Sequence, residues 1–259
     1  MQRPKLVAFD LDDTLAPSKS PVPAEISRSL VELLEYVDVA IISGGAFEQF
    51  RTQVVEKLPP TDQARLARLH LLPVCGTQYY HLAGGEWARS YSYDLTDDEK
   101  RDAIAALTEH AHALGLWSNE AWGERIEDRG TQITFSALGQ LAPVDVKAKW
   151  DPTGEKKSLL RAAVAAHLPD LEVRSGGSTS VDITRRGVDK AFGMSRLSEI
   201  TGLALDDMLF VGDRLDPDGN DYPVKALGVE CHPVTGWEDT AGYLRALIPA
   251  LAEPAGSNV

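Results

Sequence analysis

With 259 residues, 43% of them hydrophobic and 25% charged, the chain has the length and apolar content for one large α/β domain or two modest ones. Its formal charge of -13 repels phosphate backbones and anionic lipid surfaces, so no nucleic acid and no membrane partner is expected. Cys75 and Cys231 are far apart and supply neither a disulfide framework nor a zinc site, and no apolar run reaches bilayer length. The expectation is a cytoplasmic chain.

Lys5 to Phe9 (KLVAF) is an apolar run that stops at acids, as a buried parallel strand does. A helical pattern follows through Tyr36, then a second buried strand over Val37 to Ile42. Ser43-Gly44-Gly45 turns into another helix ending near Leu58, and His70 to Val74 reads as a third strand. From Gln78 to about Tyr93 the pattern is of strands joined at Gly84-Gly85. Thr96 and Glu99 form a capping box opening a helix through about Leu114. Thr131 to Ser136 alternates like a half-exposed strand, Asp151-Pro152 starts a helix to about His167, and Leu171 to Arg174 and Thr179 to Thr184 are further strands. After Gly187 come a helix to about Thr201, a buried strand over Met208 to Val211, a strand over Gly228 to Cys231, a helix from about Trp237 to Leu251 and a frayed tail, EPAGSNV. The fold class expected is α/β. A doubly wound parallel-sheet core is formed from 1–80 and 187–259, with an α+β domain inserted at 81–186.

The chemistry concentrates at strand ends. Asp10, Asp12 and Asp13 crowd together directly after the first strand, which is costly unless a cation compensates. Mg²⁺, which takes hard oxygen ligands, suits such a site; a solvated acidic turn is the plain alternative. A second acidic group follows another apolar strand, with Asp213 and then Asp216, Asp218 and Asp221 in a Gly-rich loop. In a parallel sheet both strand ends face one crevice, so Asp10, Asp12, Asp213 and Asp221 can converge on one metal. Ser43 and Gly44 close the second strand and offer a hydroxyl and backbone N–H groups to a phosphoryl oxygen, although Ser-Gly-Gly is also an ordinary turn. Lys190 is the lone cation of an apolar helix start. It either neutralises charge there or is a surface lysine.

DLDDT at 10–14, Ser43, Lys190 and GDxxxxxGND at 212–221 together resemble the four motifs of the haloacid dehalogenase (HAD) superfamily, in its subfamily IIB with an inserted cap domain. Within it the chain is similar to the eukaryotic-type phosphomannomutases and to related sugar-phosphate phosphatases, through Arg129-Gly130-Thr131, the stretch Gly176 to Asp182, Gly219-Asn220-Asp221-Tyr222 and Glu238-Asp239-Thr240. The resemblance implies that Asp10 is the nucleophile and Asp12 the general acid and base. Asp10, the Asp12 carbonyl and Asp213 would hold Mg²⁺, with Asn220 and Asp221 supporting them. Ser43, Gly44 and Lys190 would bind the transferring phosphoryl group, and Lys19, Arg129, Ser180 and Asp182 the rest of a small phosphorylated substrate. Pairing of two chains through the cap, a homodimer, also comes with the resemblance.

One departure separates the activities. Directly after TQITF the mutases carry an arginine, where this chain has Ser136. The stretch from Ala137 to Trp150 has only Lys147 and Lys149, and Lys19 takes the place of a further arginine. A lysine cannot form the bidentate fork that grips a second phosphate. The expected activity is therefore a phosphatase acting on a sugar phosphate, with a phosphomannomutase as the alternative and a non-catalytic sugar-phosphate sensor as a minor one.

Overall fold

The computed structural model describes residues 3–118 and 120–253, so most of the expected frayed tail lies outside the described residues. It divides into two compact units, Met1–Tyr91 with Asp189–Val259, and Ser92–Val188.

The first unit is built on a seven-stranded sheet of β1 (Leu6–Phe9), β2 (Asp38–Ile42), β3 (Leu69–Leu72), β4 (Gln78–Ala83), β5 (Glu86–Ser92), β10 (Met208–Gly212) and β11 (Glu230–Pro233). Their order across the sheet is β11-β10-β1-β2-β3-β4-β5. The five strands from β11 to β3 run parallel, and β4 joins β3 antiparallel. Side chains alternate across the pleat. Val7, Phe9, Val39, Ile41, Leu209 and Val211 pack under the helices Ala24–Leu33 and Trp237–Ala252. Leu6, Ala8, Ala40, Ile42 and Phe210 face Met194 and Leu197 of the helix Lys190–Thr201. Both faces are covered, which is why these strands read as continuous apolar runs.

The second unit carries β6 (Ile126–Asp128), β7 (Gln132–Ser136), β8 (Leu171–Ser175) and β9 (Ser180–Arg185) in an antiparallel sheet of order β6-β7-β9-β8. Ile133, Phe135, Val181 and Ile183 pack on Ala106 and Leu107 of the helix Asp97–Ala113 and on Leu160 and Val164 of the helix Glu155–His167. Thr96 accepts from the Glu99 N–H at 3.2 Å while the Glu99 carboxylate accepts from the Thr96 N–H at 2.6 Å, closing the capping box.

Three details differ from the sequence expectation. The first unit extends to Tyr91 rather than to about 80, because β4 and β5 continue its sheet. The segment before Asp151 forms its own helix, Val144–Trp150, and the next one starts at Glu155, the Asp151 carboxylate accepting from the Lys156 and Lys157 N–H groups of its first turn at 3.2 and 3.0 Å. The third strand stops at Leu72, and Pro73–Gly76 turns sharply, with Val74 and Cys75 in the left-handed region. Among the described residues no helix is long and apolar enough to cross a membrane.

Candidate active site

Because β10, β1 and β2 are parallel neighbours, the residues that follow them emerge at one edge of the sheet. Asp10 continues the β1 ladder, its N–H donating to the Val211 carbonyl at 3.0 Å, and the residue is only 4% exposed. Asp213 follows β10 and accepts from the Thr14 hydroxyl at 3.2 Å. Asp221 is fully buried, and one oxygen of each of Asp10, Asp213 and Asp221 lies within 4.8 Å of the others.

Lys190 enters this group from the first turn of its helix, where Asp189 caps the end by accepting from the Phe192 N–H at 3.0 Å. Its ammonium is buried and lies 2.6 Å from Asp10 and 2.5 Å from Asp221. The reading of Lys190 as a surface lysine is thereby excluded. Asp221 is fully engaged, one oxygen on Lys190 and the other accepting the Arg214 N–H at 3.1 Å. That geometry orients the lysine.

The electrostatics follow from burial. Desolvation pushes the Asp10 carboxyl up to about 7, with the Lys190 ammonium pulling it down and the Asp221 charge pushing it up. Burial pulls Lys190 down, but Asp10 and Asp221 outweigh it and hold the ammonium above its usual range. Asp213 is raised by burial and then by Asp221. Three carboxylates with one ammonium leave net negative charge in a low-dielectric place, and two of the acids resist ionising. A hard divalent cation fits that donor set.

Asp12 stands apart from the three-acid group. Its oxygens accept from the Lys19 N–H at 2.6 Å and from Gln49 Nε2 at 2.9 Å, so the side chain is held by a loop and by the helix Phe47–Gln53. Lys19 contributes its backbone here, and its side chain is exposed. Gln49 carried no motif signal; only the fold brings its amide to Asp12. Ser43 is buried at the end of β2, its hydroxyl accepting from the Gly45 N–H at 3.2 Å. At Gly44 an added Cβ would meet nothing within 4 Å, so the loop is open on that side. Asn220, Asp216 and Asp218 are exposed on their loop, where Asp216 pairs with Arg214 at 2.8 Å. Thr240 is buried and donates to the Thr14 carbonyl at 2.7 Å, tying the last helix to the first acidic loop.

The remaining predicted residues, Ser180, Asp182 and Arg129, lie in the second unit. Asp182 accepts from the Thr134 hydroxyl at 2.8 Å, and the Ser180 and Ser136 hydroxyls are 3.3 Å apart. Arg129 is spent on Glu127 at 2.8 Å.

No family model matches the chain. A probable phosphomannomutase of Caenorhabditis elegans is 25% identical over 261 residues, 95% of this chain and 96% of the relative. An IMP-nucleotidase of Plasmodium falciparum superposes with a TM-score of 0.66 at 12% identity, covering 96% of this chain and 69% of that one. A haloacid dehalogenase-like hydrolase of Bacteroides thetaiotaomicron gives a TM-score of 0.62 at 15% identity, covering 95% and 100%.

Proposed function

We propose that the chain is a phosphomannomutase-like enzyme of the haloacid dehalogenase superfamily, and that it is a Mg²⁺-dependent cytoplasmic phosphatase acting on a small sugar phosphate; its near full-length likeness to a phosphomannomutase and its haloacid dehalogenase-like fold support this reading. The observation that carries this reading is the buried Asp10–Lys190 pair, with Asp213 and Asp221 in reach of the same point. In the first step an Asp10 oxygen attacks phosphorus in line, the bond from phosphorus to the ester oxygen breaks, and Asp12 gives that oxygen its proton. In the second, water attacks the aspartyl-phosphate, Asp12 takes the water's proton, and the Asp10 carboxylate leaves. Gln49 and the Lys19 N–H hold Asp12 for both transfers. Lys190 favours the ionised form of Asp10 against the cost of burial and, with Ser43 and Gly44, binds phosphoryl oxygens. Asp10, the Asp12 carbonyl and Asp213 would hold Mg²⁺, which supplies charge neutralisation for the transferring group.

Water is preferred over a sugar hydroxyl as acceptor because Ser136 hydrogen-bonds to Ser180 where a mutase needs an arginine fork for a second phosphate. The mutase reading is favoured by the near full-length likeness to a phosphomannomutase. The deciding experiment incubates the protein and Mg²⁺ with a panel of sugar phosphates. Free phosphate and isomerised product are assayed with and without a hexose bisphosphate, beside Asp10→Asn. Phosphate release that disappears in the variant, without isomerisation, supports the phosphatase. Bisphosphate-stimulated isomerisation refutes it in favour of the mutase.

A further inference from the structure

Three successive residues, Val74, Cys75 and Gly76, have φ of 49°, 55° and 82°. Left-handed backbone is ordinary for glycine but strained for a cysteine and more so for a β-branched valine, and two such residues side by side persist only where their surroundings hold them. The surroundings here are the candidate phosphoryl-binding loop. The Val74 N–H donates to the Gly45 carbonyl at 3.0 Å, and the Cys75 N–H to the Ser43 carbonyl at 2.9 Å. A planar trans peptide points its N–H opposite to its C=O. Fixing the Ser43 carbonyl on Cys75 therefore fixes the direction of the Gly44 N–H, and fixing the Gly45 carbonyl on Val74 does the same for Ala46.

The other side of the turn meets the helix that carries Lys190. A Cβ at Gly76 would lie 2.4 Å from the Gly193 Cα, and a Cβ at Gly193 would lie 2.3 Å from Ile42 Cδ1 and 2.8 Å from the Cys75 carbonyl oxygen. Backbone meets backbone there, one turn beyond Lys190. The turn is pinned from behind as well. Thr77 returns its N–H and hydroxyl to the Val74 carbonyl at 3.1 and 2.8 Å, and the Tyr91 hydroxyl donates to the Gly76 carbonyl at 2.7 Å.

We propose that the turn Val74–Cys75–Gly76 is the positioning element of this site, a strained clasp that sets the Ser43–Gly44 loop and the Lys190 helix against each other. This rests on Ser43, Gly44 and Lys190 being phosphoryl-binding groups. The backbone conformation, not the thiol, carries the role. Residues that tolerate positive φ, glycine and asparagine, are expected to preserve it at position 75, and a β-branched residue to degrade it.

The test compares Cys75→Val with Cys75→Gly and Cys75→Asn, reading two quantities with Mg²⁺ present. These are the Kd for inorganic phosphate by calorimetry, and kcat and KM for a sugar phosphate. Folding is followed by near-UV circular dichroism. The expected result is a folded Cys75→Val with phosphate Kd and KM raised by about tenfold or more, and Gly and Asn variants within about threefold of wild type. If Cys75→Val fails to fold, the other two decide alone. Wild-type phosphate affinity with a raised Tm supports the clasp, and weakened affinity overturns it. A folded Cys75→Val with wild-type affinity, or Gly and Asn variants as impaired as Val, also overturns it. The phosphate Kd needs no turnover. A wild-type protein that binds phosphate but hydrolyses no ester therefore removes the phosphatase reading while the clasp is still measured.

Discussion

Replacing Asp10 by asparagine is expected to abolish phosphate release while making the metal-free fold more stable. The carboxyl is raised from 3.8 to about 7 by burial. An acid whose pKa is raised on folding is accommodated when protonated, so its penalty is absent below the unfolded pKa and grows as pH rises, levelling off above about 7. That displacement corresponds to about 4 kcal/mol at alkaline pH. Asparagine has the same shape without the charge, and Lys190 keeps Asp221 as its partner at 2.5 Å. Between about pH 5.5 and about pH 8.5 the advantage of the variant should widen by about 2 kcal/mol, or about 4–8 °C in Tm. The assay is thermal unfolding of both proteins in EDTA across that range, repeated with excess Mg²⁺. Metal favours the ionised carboxylate, so the gap should narrow when it is added. A variant less stable than wild type throughout, or an advantage that does not change with pH, would show that the Asp10 charge carries no folding penalty.

Asp12→Asn should lower kcat by roughly 10²–10⁴-fold with Tm nearly unchanged, since Asp12 is only half-buried and the role proposed for it is proton transfer; steady-state kinetics beside a melt reads both. Asp213→Asn should weaken Mg²⁺ binding by calorimetry while leaving the Asp10–Lys190 pair in place, and excess Mg²⁺ should recover part of the rate. Thr240→Val leaves the Thr14 carbonyl without its donor and should cost about 1–3 kcal/mol, read as a lower Tm.

The strand ends were legible because their signals are local. An apolar run cut off by acids needs no partner to be recognised, and parallel neighbours must present their following residues at one edge. What escaped depends on partners distant in sequence. Gln49 belongs to a short helix with no motif, and its approach to Asp12 exists only once the first loop has folded. The sharp turn at Val74–Cys75 runs against local preference, so propensity predicted continuing strand, and the hydrogen bonds to Ser43 and Gly45 that sustain it are tertiary. The extension of the sheet through β4 and β5 was misassigned for a related reason. Strands joined at Gly84–Gly85 look the same whether they open an inserted domain or continue an existing sheet.

The place of β1 has a consequence for how the protein is made. It lies between β2 and β10, and Leu6 pairs with Met208. A nascent chain can pair one edge of β1 soon after synthesis, but the other must wait until nearly the whole sequence has left the ribosome. Ser92–Val188 is a continuous segment, so it can finish folding during that wait. Through most of translation the Leu6–Phe9 strand therefore presents an unpaired, wholly apolar edge, the kind of surface that chaperones bind. Asp10 meets Lys190 and Asp221 only when that edge closes, so truncated chains carry Asp10 but not the buried group around it.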